Sequence, residues 1–381
     1  MKLRKKIKIF VDAHCFDTEY QGTQTFIKEL YTELHNQYED LDIYFGTRNQ
    51  EELCRSFPFL SSSNILQYQK RKSSFFRLLF DIPSFICKHQ FDFAHFQNIA
   101  PTRSSTCKYI VTLHDVLFND LKQDFPTTYR YTRNLLFGRS FKQAQIKTTV
   151  SAYSSERISY HYNIPPAQIT IIPNSANTFT AGTSSSKSVA SKYISDKYGI
   201  ENFILCVSRI EPRKNQALLL EAYLQLKLQK KNISLVFIGK ESIDTPCFKN
   251  RLHAEQTQNE NKIYWFEQVP PDDLQAFYSS CRLFVYPSKG EGFGIPPLEA
   301  AISKAPVLCS STSAMKDFSF FNPYTFHPSN ENELKDKLQW IINNPPCNEF
   351  LNNVAKQINE QYSWKKSAEI LYRLIKQNTI R

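Results

Sequence analysis

The stretch FVYPSKGEGFGIPPLEA, residues 284–300, decides how the rest of the chain is read. An apolar run closes at Pro287, glycines follow at 290, 292 and 294, prolines stand at 296 and 297, and glutamates occupy 291 and 299. Arg282 to Pro287 has the pattern of a buried strand. Proline suits the first turn of a helix, where its missing N–H would have no intrahelical partner. GEGFG is therefore the turn from a strand into a helix. Gly290, Gly292 and Gly294 let a ligand approach the backbone closely, and the N–H groups at a helix start favour an anion.

Two familiar phosphate signatures are absent. A GxGxxG fingerprint would need glycine at 295, where isoleucine stands, and no Walker lysine follows the loop. The distinctive feature is Glu291 in the loop with Glu299 in the first helical turn. An ionised carboxylate only accepts hydrogen bonds, so it is a poor phosphate ligand and a good partner for sugar hydroxyls, above all a vicinal diol. Backbone for phosphate and carboxylates for hydroxyls suit a nucleotide sugar. Taken singly, each glutamate has a plainer reading, Glu291 as a solvated charge and Glu299 as a complement to the helix dipole. The plainer reading does not account for the whole string.

At 381 residues the chain exceeds what one hydrophobic core usually serves, and two domains are expected. The cysteines at 15, 54, 87, 107, 206, 247, 281, 309 and 347 form no CxxC and lie far apart in sequence. That spacing argues against a disulfide framework or a zinc site and for a reducing cytoplasm. No tract reaches the ~18 apolar residues of a membrane span. The basic start, MKLRKKIKIFVDAH, has too short an apolar run for a signal peptide, and Ile7 to Val11 reads as a first strand. The formal net charge of +11 calls for an acidic partner or surface.

Short apolar runs alternate with longer amphipathic stretches. IKIFVDA precedes TFIKELYTELHNQ, and LDIYFG, FDFAHF, KYIVTLHD and IKTTVSAYS read as further strands. The rhythm resumes with NFILCVSR, ISLVFIGK, KIYWFEQ, RLFVYPS and APVLCSS. This alternation predicts two doubly wound, Rossmann-like parallel sheets with a cleft at the carboxyl ends of their strands. The expected domains are residues 1–177 and 200–360. A Ser- and Thr-rich connector over 178–199 joins them, and a last helix over 361–381 crosses back to the first domain.

Other segments carry weaker signals. VSRIEPRKN, residues 207–215, follows the second domain's first strand. Its Arg209 and Lys214 either clamp a diphosphate or decorate a surface turn. VTLHDVLF ends a buried strand in His114 and Asp115. A lone histidine is usually structural and Asp115 suits a cap, yet the pair falls at a sheet's carboxyl end. Gly22, in EYQGTQTF, precedes a helix and is a further place for close backbone approach.

The combination resembles a retaining glycosyltransferase of the GT-B fold, family 4, over residues 7 to 370. Glu291-GFGIPPL-Glu299 meets that family's Glu-x7-Glu motif, SRIEPRKN is similar to its diphosphate clamp, and TLHD to its active-site histidine segment. The resemblance implies that Arg209 and Lys214 hold the donor diphosphate, Glu299 the ribose and Glu291 the donor sugar's hydroxyls. The Gly292, Phe293 and Gly294 backbone would lie against sugar and phosphate, and His114 would contact the sugar. It implies a nucleotide diphosphate sugar (UDP or GDP) as donor. The acceptor would be a saccharide or lipid-linked saccharide, in polysaccharide or lipopolysaccharide assembly, with no metal and no cofactor. The chain departs from the family pattern at Ser175, at Ser303-Lys304 and at Asp317, the first two standing where glycine is usual.

QKRKSSFFRLLF, residues 69–80, mixes cations with aromatic and leucine side chains. It reads as an interfacial segment for an anionic membrane surface, with the protein cytoplasmic and peripheral at the inner face. TYRYTRNLLFGRSFK, residues 128–142, reads instead as a helix with a buried apolar face. Nucleic acid is not expected, because no reader motif accompanies the charge. Two rivals remain: a nucleotide-sugar epimerase or hydrolase, which would need no acceptor, and a non-catalytic scaffold of the same fold, which would need no intact Glu291, Glu299, Arg209 and Lys214 set.

Overall fold

A computed structural model describes residues 6–17, 22–69, 73–176, 186–257 and 262–379. The chain divides into two compact units, Met1–Asn174 with Ser363–Arg381, and Ser175–Tyr362.

The first unit is built on a parallel sheet of β1 (Ile7–Asp12), β2 (Leu41–Thr47), β3 (Ile65–Gln67), β4 (Phe93–Gln97), β5 (Lys108–Leu113), β6 (Ile146–Thr149) and β7 (Ile169–Ile171). Their order is β3-β2-β1-β4-β5-β6-β7. Buried on both faces, these strands read as nearly continuous apolar runs. Alternate residues serve different faces. Phe10, Phe96, Tyr109 and Val111 pack with Ile82, Phe137, Phe141 and Ile158 of three crossover helices. On the other face His95 meets Phe26 and Tyr31 of the helix Gly22–Gln37. The last helix, Trp364–Thr379, belongs to this unit: Trp364 lies edge-on to Phe26, and Lys376 pairs with Asp40 at 2.9 Å.

The second unit repeats the plan with β8 (Phe203–Val207), β9 (Ser234–Ile238), β10 (Ile263–Phe266), β11 (Leu283–Tyr286), β12 (Val307–Ser310) and β13 (Thr325–Phe326). The order is β10-β9-β8-β11-β12-β13, all parallel. In each sheet the first strand stands beside the fourth, which makes that gap the topological switch point, where doubly wound sheets hold ligands.

Three expectations are corrected. The units part at 174/175, and part of the expected connector over 178–199 is the helix Lys187–Tyr198, which belongs to the second unit. Its Ser-rich sequence hides two inward residues one turn apart, Ala190 and Ile194. In the basic segment 69–80, Lys70, Arg71 and Lys72 lie outside the described residues. Arg77 does not face outward: it is buried, its Nη1 3.0 Å from Asp12 Oδ1. Local composition cannot reveal such a partner, which lies 65 positions earlier. The large apolar side chains exposed there are Phe75, Leu79 and Phe80. In the helix Thr127–Gln143 only the carboxyl half is buried, through Phe137, Gly138, Ser140 and Phe141, while Tyr131 is 76% and Leu135 66% exposed.

Candidate functional site

Two loops meet at the second unit's switch point. After β8 the chain turns through Ser208 and Arg209 into a short 3-10 turn, Pro212–Lys214, and leaves it at Asn215 with φ +61°. Asparagine tolerates this left-handed conformation better than most residues. After β11 runs the segment from Pro287 to Gly294. The two are laced together: Lys289 N–H donates to Arg213 O at 2.8 Å, and Asn215 Nδ2 to Pro287 O at 3.3 Å.

Glu291 sits where they join and is 6% exposed. Its Oε1 accepts from Lys214 Nζ at 2.6 Å and from the Tyr286 hydroxyl at 2.9 Å. Its Oε2 accepts from Arg213 Nη1 at 3.0 Å. Arg213 reaches back with Nη2 to Glu211 Oε1 at 2.6 Å. Burial pushes the Glu291 carboxyl up, but the charges of Lys214 and Arg213 outweigh it and hold it at about 2. The structure thus brings Lys214 and Glu291 together. Arg209 stands apart: its exposed guanidinium has no hydrogen-bond or ion-pair partner among the described residues.

Gly294 caps the helix Ile295–Ile302 with φ +103°, and a Cβ there would stand 3.3 Å from Phe318. Gly292 and Phe293 are buried beside it. The Phe293 ring packs against Phe318 and Tyr362, which leaves its backbone on the loop side. In the helix, Glu299 Oε2 accepts from the Tyr278 hydroxyl at 3.0 Å. Part of Glu299 reaches solvent, yet burial raises its carboxyl to about 7, against the lowering effect of that hydrogen bond. After β9, Gly239 packs directly against the loop that follows β8. Gly239 has φ +145°, and a Cβ on it would lie 2.0 Å from Ser208 O.

His114 and Gly22 belong to the first unit. His114 follows β5 with its backbone N–H 3.3 Å from Asn98 Oδ1, its Nε2 2.8 Å from the Gln97 amide, and its ring edge-on to Phe26. Burial holds its imidazole down at about 4, so it is neutral. Asp115 Oδ1 accepts from Leu117 N–H at 3.1 Å, as a cap does. Gly22 opens its helix, and a Cβ there would meet nothing within 4 Å, so packing does not demand glycine.

Sequence reasoning missed Arg213, Tyr286, Tyr278 and Gly239. Arg213 and Tyr286 lay inside quoted stretches, and a cation beside Lys214 was the available signal. It also missed a buried cluster after β1, in which Asp12 Oδ1 takes bonds from the Tyr68 hydroxyl at 2.8 Å and Arg77 at 3.0 Å, with His14 Nδ1 3.1 Å away. Burial favours the neutral acid, yet Arg77 and His14 hold the Asp12 carboxyl well below its ordinary range.

Residues 191–361 match the family described as glycosyl transferases group 1, and residues 20–178 match glycosyltransferase family 4. Over 177 residues, 45% of this chain and 20% of the relative, the sequence is 29% identical to the serotype-specific mannosyltransferase WbdA of Escherichia coli. Over 212 residues, 55% of this chain and 54% of the relative, it is 29% identical to the O-antigen chain mannosyltransferase B of Escherichia coli. The chain spans about half or less of the length of these relatives. The crystal structure of Anabaena Alr3699/HepE in complex with UDP-glucose aligns with a TM-score of 0.71 at 16% identity, covering 97% of this chain and 100% of that one. At that identity the likeness is one of fold. Two parallel sheets of matching strand order and two family matches lying end to end agree, and the chain belongs to the GT-B glycosyltransferases of family 4.

Proposed function

We propose that the protein moves a hexose from a nucleotide diphosphate sugar to a saccharide or lipid-linked saccharide, with retention at the anomeric carbon. One observation carries this reading: a buried Lys214–Glu291 pair, flanked by half-buried Arg213, beside a glycine turn at the switch point of the second sheet. A carboxylate offers about four acceptor sites. Lys214 and Tyr286 donate to Oε1 and Arg213 to Oε2, with Ser288 a further side-chain partner, so the group is held ionised as an acceptor beside the turn. Lys214 spends donors on Tyr286 and Glu291 and retains one N–H for a phosphate oxygen.

In this reading the exposed Arg209 closes on the diphosphate by its planar fork. The anomeric C–O bond breaks and the electron pair passes to the diphosphate, whose charge Arg209 and Lys214 stabilise. The acceptor oxygen bonds to the same face of that carbon and its proton passes to a diphosphate oxygen. Removing one such cationic donor costs about 2–4 kcal/mol of barrier, taking oxyanion-hole donors as the measure. Pro296 and Pro297 lack N–H, so a phosphate would meet the amides from Gly292 to Ile295. No metal enters this scheme, and transfer is expected to survive a chelator.

The relatives' names favour mannose as the first sugar to test and O-antigen-type polysaccharide as the setting. Exposed Phe75, Leu79 and Phe80 support contact with a membrane that carries a lipid-linked acceptor. No helix among the described residues is long and apolar enough to cross a membrane. The deciding experiment is thermal stabilisation by UDP, GDP, ADP and CMP, followed by product analysis with the matching donor. A ligand at 100 times its Kd adds about 2.7 kcal/mol. Stabilisation that Arg209→Ala with Glu299→Ala abolishes, and an α-linked product from an α-linked donor, support the reading. A folded protein that no nucleotide stabilises would move the weight to the scaffold.

A further inference from the structure

The family resemblance would set His114 against the donor sugar, and behind it lies a row of polar side chains that the proposed reaction does not use. His95 and Gln97 are two apart on β4 and share a face of the sheet. Thr112 stands beside Gln97 on β5, and Thr148 beside Thr112 on β6. Thr148 Oγ1 is 2.6 Å from Thr112 Oγ1, and Thr112 Oγ1 is 2.8 Å from His95 Nε2. The Tyr31 hydroxyl is 2.7 Å from His95 Nδ1. Gln97 spans the gap, with one end of its amide 3.2 Å from His95 Nε2 and the other 2.8 Å from His114 Nε2. Tyr31, His95, Gln97, Thr112 and Thr148 are all buried. Such a row on a parallel sheet, where aliphatic residues are usual, holds together only when each donor has its acceptor.

Counting donors assigns the protons. The only partner of the buried Tyr31 hydroxyl among the described residues is His95 Nδ1, so Tyr31 donates and Nδ1 is bare. The proton of neutral His95 is then on Nε2, donated toward Thr112. Thr112 donates on to Thr148, and Thr148 to Val111 O at 3.4 Å. With Gln97 Nε2 turned toward His95 and Oε1 toward His114, two N–H groups would oppose each other at 3.2 Å. Turning the amide over removes that conflict without changing its shape, since its oxygen and nitrogen are alike in size. The carbonyl then shares the one His95 Nε2–H with Thr112, and the NH2 donates to His114 Nε2.

We infer that Gln97, oriented by the Tyr31–His95–Thr112–Thr148 row, is a positioning residue that fixes His114 as the Nδ1–H tautomer, a hydrogen-bond donor toward its open side. His114 Nδ1 has no partner among the described residues, and an oxygen of the donor sugar is the ligand this N–H suits. Burial keeps both imidazoles neutral, His95 at about 3 and His114 at about 4, so the tautomer rather than the charge is what the row sets. The role toward sugar rests on the glycosyltransferase reading above; the tautomer does not.

The test is long-range 15N–1H correlation of the histidine side chains in the full chain at pH 7.5, with His114 assigned by its loss in His114→Asn. The expected spectrum has His114 protonated on Nδ1 and bare on Nε2. In Gln97→Glu, which keeps the size and removes the donor, His114 should invert to Nε2–H. If the donor sugar is found, kcat should drop about tenfold with KM for the donor little changed, the lower bound for residues that orient a functional histidine at metal sites. Gln97→Met should leave a mixture of tautomers. Nε2–H on His114 in the unsubstituted protein, or no change of tautomer in Gln97→Glu, overturns the inference. Absence of any sugar transfer would remove the function proposed above and leave the spectroscopic result standing.

Discussion

Lys214 Nζ lies 2.6 Å from Glu291 Oε1 across 77 positions of sequence, and both side chains are almost wholly buried. The pair locks the loop after β8 to the loop after β11. A buried ion pair adds little over apolar residues of the same shape, but losing one partner strands the other charge. Lys214→Met should therefore destabilise the protein by about 3 kcal/mol, with Arg213 still holding Glu291. Lys214→Met with Glu291→Leu should recover much of that loss. Urea unfolding of the single and double variants checks it, and nucleotide stabilisation should be lost in both.

Glu299 gives stability an unusual slope. Its carboxyl titrates at about 7 in the folded chain against 4.5 ordinarily, so between those values the folded state holds a proton that the unfolded state has released. Stability from this group is complete below pH 4.5 and is lost as pH rises through 7, by ~1.4 kcal/mol per pH unit. Glu299→Gln should flatten the curve in that window. Unfolding free energies of the two proteins from pH 4.5 to 8 measure the difference.

The imidazoles act in the opposite sense. His95 and His114 are held at about 3 and about 4, below the ordinary 6.5. Below pH 6.5 the unfolded chain gains protons that these buried rings refuse, so their contribution is present at neutral pH and falls as pH drops toward 4. His95→Gln should show a shallower loss from pH 6.5 to 4 than the unsubstituted protein, even where its stability at pH 7 is lower.

Lys304 adopts φ +60° in the turn before β12, within the Ser303-Lys304 pair where the family resemblance implies a glycine. A lysine pays for that left-handed conformation in steric strain, and glycine would relieve it at some cost in unfolded-chain entropy. Lys304→Gly is expected to stabilise by about 0.5–1 kcal/mol, read as a raised midpoint in urea with an unchanged slope.

What the sequence revealed follows from how far apart the cooperating residues are. Residues 284–300 were legible because strand, glycine turn, prolines and both glutamates are consecutive. Most strands of both sheets were legible because burial on two faces leaves short, largely apolar runs, while β3, β7 and β13 are too short to show one. Arg77 was misread because its partner, Asp12, lies on a strand 65 positions earlier, and nothing within QKRKSSFFRLLF distinguishes a buried arginine from a solvated one. The helix Lys187–Tyr198 was missed because two small inward contacts suffice to dock it. The row from Thr148 to His114 depends on parallel register across three strands, and no single stretch contains it.

Gly239 has a consequence for how this protein tolerates change. Its Cα approaches Ser208 O so closely that even an alanine methyl would have to displace the peptide leading into Arg209. A residue outside the loops after β8 and β11 thus holds a veto over them. In a saturation library, position 239 should accept no replacement, while exposed Arg209, next to Ser208 in the pushed loop, should lose activity when substituted and keep its fold. Tolerance for folding and tolerance for activity would then separate at two positions that touch.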